Sequence, residues 1–490
     1  MIFNSLTYIL FLFIVVAAYY LTPGKLRWLL LLAASILYYV SFIPYFLVVI
    51  LAVIVVNYFS AGYMSKFPEF SRYKFLIVIV CINLIILAIF KYFNLLFPDF
   101  EVHLSEMDAY FKISSINKMV LPIGLSYLIF TIISYQVEIK RNNFNHEKHL
   151  GYFSLYLLFF PKIAQGPIER PQKLLPQLRE FHGFDSSLVV GGLKQILWGY
   201  FKKLVVADRL ALYVNAVYNN SEQHNGTSLL IATFFFSFQI YADFSGYTDI
   251  ALGSAKLFGF NLTDNFRRPY LASSIKEFWD RWHITFSAWL RDYLFLPLAV
   301  LLSRLLKRPR YLFVSTGKWV YMIAIMLTFA VCGIWHGVGW TYLVWGVIFG
   351  IYLTYSNFIR DINKKIRKRF HINKNSRLRR LSQIIVTFAL VMFAWIFFRA
   401  ETFKEATWII KSIFCSPGIP FYETMSSMIF SVFGIGFLIF IDFKREFYND
   451  RFSVINSGNQ FIEIAGITFL FTMIMLIGVF DGGQFIYFQF

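Results

Sequence analysis

The chain is poor in the residues that staple or solubilise a fold. Its 490 residues include three cysteines, Cys81, Cys332 and Cys415. They stand far apart, two of them in apolar runs, which excludes a disulfide framework and a zinc-ligand spacing. Charge is scarce as well: Asp, Glu, Lys and Arg make up 15% of the chain, against 58% hydrophobic residues and 20% aromatics. A soluble fold cannot cover that much apolar surface, so soluble multidomain and disordered readings are out. The composition is that of a polytopic membrane protein. Acidic residues are the scarcer charge, 27 against 46 basic, for a net charge of +19. In a soluble protein this balance points to nucleic acid. In a membrane protein it is the usual crowding of Lys and Arg into cytoplasmic loops. P-loop, dinucleotide-binding, HExxH and GxSxG patterns are missing, as are internal repeats and heptads. Histidines without clustered partners predict no metal site.

What is present is a series of apolar runs of bilayer length, about 20 residues each. Spans are expected near 6–21, 26–42, 44–64, 75–97, 118–139, 382–398, 423–443 and 461–480. The run from Leu6 has no basic segment before it and further spans after it, so it is read as a span rather than a cleavable signal. Between 150 and 355 the apolar runs are interrupted by polar residues, Pro and Gly, giving pieces near 151–164, 187–217, 228–258, 276–302, 317–335 and 338–355. Irregular backbone at membrane depth is tolerated only inside protein or along a cavity. The expectation is therefore one membrane-embedded all-α domain over 1–490. Within it lie N-terminal helices at 1–140, a functional core at 141–355, and a basic loop with C-terminal helices at 356–490.

Charge asymmetry orients this arrangement. With the N-terminus outside, Lys25, Arg27, Lys66, Arg72, Lys74, Lys140, Arg141 and Lys148 fall in or beside inside loops. Loop 356–381 carries ten Lys or Arg and belongs to the cytoplasm, as do Lys444, Arg445 and Arg451. The uncharged tail 482–490 then ends outside. The polar stretch 98–117 is expected to lie along the outer interface.

Ionisable groups inside membrane segments are costly, so they are the candidates for chemistry. His103, His146, His149, His182, His224 and His371 sit in polar surroundings and read as solvated. His336 lies in Cys332-Gly333-Ile334-Trp335-His336-Gly337, near the tip of a hairpin between two apolar runs. Taken alone it is a buried structural histidine as readily as a reactive one. His283 ends Lys276-Glu277-Phe278-Trp279-Asp280-Arg281-Trp282-His283, where helical spacing pairs Lys276 with Asp280, Glu277 with Arg281 and His283 with Ser287. An interfacial helix with solvated charges fits equally well. Asp243 and Asp249, in the run starting at Gln239, either line a polar path or lock helices by hydrogen bonds. Three prolines between Pro161 and Pro171 preclude a regular helix there.

Several blocks, in this order, are similar to those of the membrane-bound O-acyltransferase family, in its bacterial branch typified by the alginate O-acetyltransferase membrane subunit. They are Leu121-Pro122-Ile123-Gly124-Leu125-Ser126-Tyr127, Gln165-Gly166-Pro167-Ile168-Glu169-Arg170, and the run Phe201-Lys202-Lys203-Leu204-Val205-Val206-Ala207-Asp208-Arg209. Next come Phe238–Tyr247, Asn265-Phe266-Arg267-Arg268-Pro269-Tyr270, Glu277–Ile284, Trp289-Leu290-Arg291-Asp292-Tyr293 and Trp335-His336-Gly337. Any one is weak; the ordered set across 121–350 is specific. Two departures stand out: Pro297-Leu298 runs into Ala299-Val300-Leu301 where the branch has a Gly- and Asn-rich turn, and no motif is matched after 380.

The resemblance implies a ring of transmembrane helices around a thinned core with re-entrant helices and a tunnel. It implies that His336 and His283 are catalytic, with Asp243, Asp280 and Arg281 as supports of the core. It implies transfer of an acetyl group from a cytoplasmic thioester, acetyl-CoA, towards O-acetylation of an exported polysaccharide such as alginate. An SGNH-like extracytoplasmic relay partner is implied too, with residence in the bacterial inner membrane. D-alanyl transfer to teichoic acid is the related alternative. A transporter or flippase remains a reading of the polar core alone, though it would expect repeats.

Overall fold

Bilayer-length apolar runs become helices because a chain in hydrocarbon must satisfy every backbone N–H and C=O internally. The computed structural model describes residues 2–42, 44–96, 122–369, 376–448 and 459–480. The 98–117 segment, His103, His371, Arg451 and the 482–490 tail lie outside the described residues.

Among the described residues nine helices are long and apolar enough to cross a membrane. The chain packs as two compact units, one of residues 1–196 with 250–263, the other of 197–249 with 264–490.

The first unit opens with α1 (Leu6–Leu21), capped by Ser5, whose side chain accepts from the Tyr8 amide at 3.2 Å. Tyr8, Leu12, Val15 and Tyr19 are buried while Ile9, Leu10, Phe13 and Ile14 are exposed, so one stripe faces protein and the other lipid. At 16 residues α1 is about 24 Å long, short of a full hydrocarbon crossing without tilt or thinning. Then follow α2 (Arg27–Val40), α3 (Phe46–Met64), α4 (Glu69–Leu96) and α5 (Leu125–Lys140). An amide clamp joins α3, α4 and α5. Asn57 and Asn83 exchange side-chain hydrogen bonds at 3.0 and 2.9 Å, and Gln136 Nε2 donates to Asn57 O and Ser60 Oγ, both at 2.9 Å. Such bonds hold helices where hydrophobicity cannot. Gly124, before α5, has φ +75°, and a Cβ there would lie 2.1 Å from Ile163 O. The first matched block thus packs on the proline-rich break between α6 (Leu150–Leu158) and α7 (Pro171–Arg179). Glu169 anchors that break by accepting from the Thr263 amide and, at 3.0 Å, the Thr263 hydroxyl.

From α8 (Ser186–Tyr200) the chain runs through a widened π-type turn, Phe201–Ala207, into α9 (Asp208–Tyr218). α10 (Gly226–Lys256) follows, and 83% of its apolar window is buried, against 22–39% for the other eight long helices. Among the long helices described it is the enclosed one, and its polar residues need protein partners. α11 (Ile275–Arg281) and α12 (Ile284–Leu290) are separated by a kink at His283, after which a second widened turn, Arg291–Phe295, leads to α13 (Leu296–Leu305).

Two residue pairs form an antiparallel hairpin, Arg310–Tyr311 with Val314–Ser315, around Leu312 and Phe313 at positive φ. Apart from this two-pair ladder the regular elements among the described residues are helical, as the all-α expectation has it. α14 (Thr316–His336) and α15 (Trp340–Arg369) make the expected hairpin. Gly333 lets them touch, since a Cβ there would lie 2.3 Å from Tyr342 O. α15 continues to Arg369 and α16 (Arg377–Arg399) begins at Arg377, so most of the expected loop 356–381 is helix. Lys and Arg are good helix formers, and their charge marks a side of the membrane rather than a break in structure. The chain ends with α17 (Phe403–Cys415), absent from the expected spans, then α18 (Met425–Phe447) and α19 (Gln460–Ile477).

Candidate active site

His336 is the last residue of α14, placed where the helix stops against Gly337. It is 5% exposed. Its ring lies 4.9 Å from that of Trp345 on α15, 5.3 Å from Phe398 on α16 and 6.2 Å from Phe286 on α12. The Trp345 indole N–H is buried and makes no hydrogen bond among the described residues. A donor of that kind beside a histidine is available to a reacting oxygen.

His283 caps α12 in left-handed geometry, φ +43° and ψ 55°. α11 must end before it. Ser274 caps α11 by accepting from the Glu277 amide at 3.2 Å, and Glu277 reaches back to the Ser273 amide at 2.8 Å. Across the kink, Arg267 N donates to Arg281 O and Ile284 N donates to Asn265 O, both at 2.9 Å. The Asn265–Tyr270 block therefore braces the turn. His283 is 1% exposed, and its Nδ1 lies 3.1 Å from Asn265 Oδ1. Rings of Phe244, Phe266 and Phe286 surround it at 4.7, 6.4 and 5.0 Å. Ser287 does not pair with the His283 ring as helical spacing suggests; its hydroxyl donates to Trp282 O at 3.1 Å.

The two histidines, 53 positions apart in the sequence, therefore converge on one ring, Phe286. Both are buried among aromatics, where a neutral imidazole can accept a proton and where an electrostatic contact is strong.

The supporting candidates divide. Asp243 is buried and accepts from Lys203 Nζ at 2.7 Å, and Lys203 also pairs with Asp208 at 2.9 Å. Lys202, beside it on the widened turn, donates to Ser245 Oγ at 2.9 Å and pairs with Asp249. Asp243 is tied to Lys203 and adjoins Phe244, whose ring lies 4.7 Å from that of His283. Arg281 bonds Glu277 at 2.6 Å and Glu446 at 2.9 and 3.0 Å. Hydrogen bonds from Ser273 and the Arg281 charge outweigh the upward pull of burial and hold the Glu277 pKa below its ordinary value. Asp280 is no core support: it is exposed with Lys276 on the face opposite the buried Ile275, Phe278 and Trp279.

Several residues were not singled out by sequence. Asn265, Arg268, Lys202 and Lys203 lie within matched blocks, and block membership was the signal available. Glu446 was invisible: it gathers Arg281, Arg268 at 2.9 Å and Arg380 at 2.9 Å from a region without motifs.

A sequence model described as MBOAT, membrane-bound O-acyltransferase family, matches residues 141–403. The chain is similar to the probable alginate O-acetylase AlgI of Azotobacter vinelandii, with 31% identity over 84% of this chain and 78% of that one. It is similar to the peptidoglycan O-acetyltransferase of Helicobacter pylori, at 27% over 79% and 73%. Similarity to the teichoic acid D-alanyltransferase of Bacillus subtilis is 27% over 58% of this chain and 70% of the other.

Proposed function

Because the chain belongs to the membrane-bound O-acyltransferase family and is an O-acyltransferase, we propose that it moves an acetyl group from acetyl-CoA on the cytoplasmic side to a hydroxyl at the outer face. The observation that carries this is the convergence of buried His336 and His283 on Phe286. His336 takes the proton of the acceptor hydroxyl, and the oxygen attacks the thioester carbonyl carbon. The Trp345 N–H, unbonded among the described residues and beside the His336 ring, would stabilise the oxyanion. The C–S bond then breaks and the thiolate recovers the proton from His336. A tunnel between the helices would join the donor and acceptor sides, with the protein in the bacterial inner membrane.

Acetyl is favoured over D-alanyl because the relatives named O-acetylases align over 79–84% of the chain, those named D-alanyltransferases over 58–59%. The final acceptor would be an exported polysaccharide, reached through an SGNH-like partner. Transfer assays with purified protein, acetyl-CoA and small hydroxyl acceptors test the reading; acetyl transfer no faster than without protein would overturn it.

Two outcomes are expected of this arrangement. A Lys365→Cys variant, made with Cys81 and Cys415 replaced by Ser, should resist a membrane-impermeant maleimide in sealed cells and react after permeabilisation. The basic end of α15 is then cytoplasmic; labelling of sealed cells would reverse the topology. In liposomes with acetyl-CoA and polymer, the chain by itself should leave the polymer largely unmodified. Robust polymer acetylation without a second protein would replace the relay with direct transfer.

A further inference from the structure

Asn265 spends one oxygen on three donors. Its Oδ1 lies 3.1 Å from the Thr285 amide nitrogen, 2.9 Å from Thr285 Oγ1 and 3.1 Å from His283 Nδ1. The side-chain oxygen and nitrogen of an asparagine are assigned from their partners. Here one partner is a backbone N–H, which can only donate, so the atom facing it must be the oxygen. The opposite rotamer would set an NH2 group against that N–H inside a site where Asn265 is 2% exposed. With the oxygen fixed, the His283 nitrogen beside it must carry a proton. In a neutral imidazole the other nitrogen, Nε2, then holds the lone pair.

We propose that Asn265 is a positioning residue that locks His283 as the Nδ1–H tautomer, so that Nε2 serves the reaction as a hydrogen-bond acceptor. This rests on the O-acyl transfer reading for its consequence but not for its geometry. A neutral Nε2 has no proton to offer the thioester oxyanion. Its partner in the reaction is a donor other than the O–H that His336 deprotonates, such as a second hydroxyl of the acceptor or an amide N–H of the thioester's carrier arm. His283 therefore positions a substrate for His336, and oxyanion stabilisation falls to other donors. The kink serves the same end: main-chain bonding of Ile284 N to Asn265 O fixes the turn that aims the ring. The Asn265 Nδ2 donor is buried and makes no hydrogen bond among the described residues, so Oδ1 alone ties the side chain to the kink.

The direct test is nitrogen NMR of the full chain in nanodiscs, labelled with ¹⁵N-histidine, with the His283 signals identified by their loss in His283→Gln. A pyrrole-type Nδ1 with a pyridine-type Nε2 is expected. The Nε2–H tautomer or an imidazolium at neutral pH would overturn the proposal, whatever the enzyme transfers. Kinetics provide the second arm. Asn265→Asp keeps the acceptor oxygen and should hold kcat within about tenfold of wild type, whereas Asn265→Leu should lower kcat about 10²-fold or more, as loss of the correct tautomer does in other histidine-dependent enzymes. Equal loss in both variants, each folded with an unchanged melting temperature, would make Asn265 a purely structural residue. Should Asn265→Leu fail to fold, the NMR of the unaltered protein still decides.

Discussion

His336→Ala is expected to insert and fold normally and to lose acyl transfer by about 10²–10⁴-fold, the usual cost of deleting a general acid–base group. The imidazole ends a helix held by its contact with α15 at Gly333, and the rings of Trp345 and Phe398 pack against it. The measurement is turnover of labelled acetyl-CoA by purified protein, with the melting temperature recorded in the same detergent. A folded variant with near wild-type turnover makes His336 a packing residue and sinks its assignment as base. In His283→Ala, kcat should fall. A rise in the acceptor KM with kcat unchanged would make His283 a ground-state binding group instead.

Lys203→Ala carries the largest expected cost in stability. The ammonium is 1% exposed and sits between Asp243 and Asp208. Removing one partner of a buried ion pair leaves charge without compensation and typically costs about 3–5 kcal/mol. Here two carboxylates are stranded, one of them on the enclosed helix α10. The variant should show a strongly lowered melting temperature and poor recovery from membranes. Changing Lys203 to Met together with Asp243→Asn and Asp208→Asn should recover much of the loss, because the charges leave as a set. A single Lys203→Ala variant as stable as the parent would show that this cluster does not hold the turn at 201–207.

Much of this was legible in the sequence, for identifiable reasons. The hairpin carrying His336 follows from two apolar runs meeting at Gly337-Val338-Gly339, because bilayer length and turn residues are local signals. The enclosure of α10 follows less directly, from carboxylates in an apolar run. The kink at His283 was not legible. Its sequence continues a helical pattern and contains neither Gly nor Pro, and the residue that sets it, Asn265, lies 18 positions upstream. Nor was the hairpin at Leu312–Phe313 legible, since bulky residues at positive φ are the reverse of the usual turn signal. Glu446 has meaning only through arginines on three distant segments, a relation that no local pattern encodes. The basic stretch after 355 read as a loop because charge reports the side of the membrane and is silent about helix.

The measurement that bears most directly on the central claim is vectorial acetyl transfer in sealed proteoliposomes of uniform orientation. Radiolabelled acetyl-CoA is supplied on the cytoplasmic side and a membrane-impermeant hydroxyl acceptor on the other. The account predicts labelled acetyl ester on the acceptor, free thiol on the donor side in equal amount, and neither with His336→Ala. Acceptor labelled to the same extent by His336→Ala, or thioester consumed with no ester formed across the membrane, would contradict it.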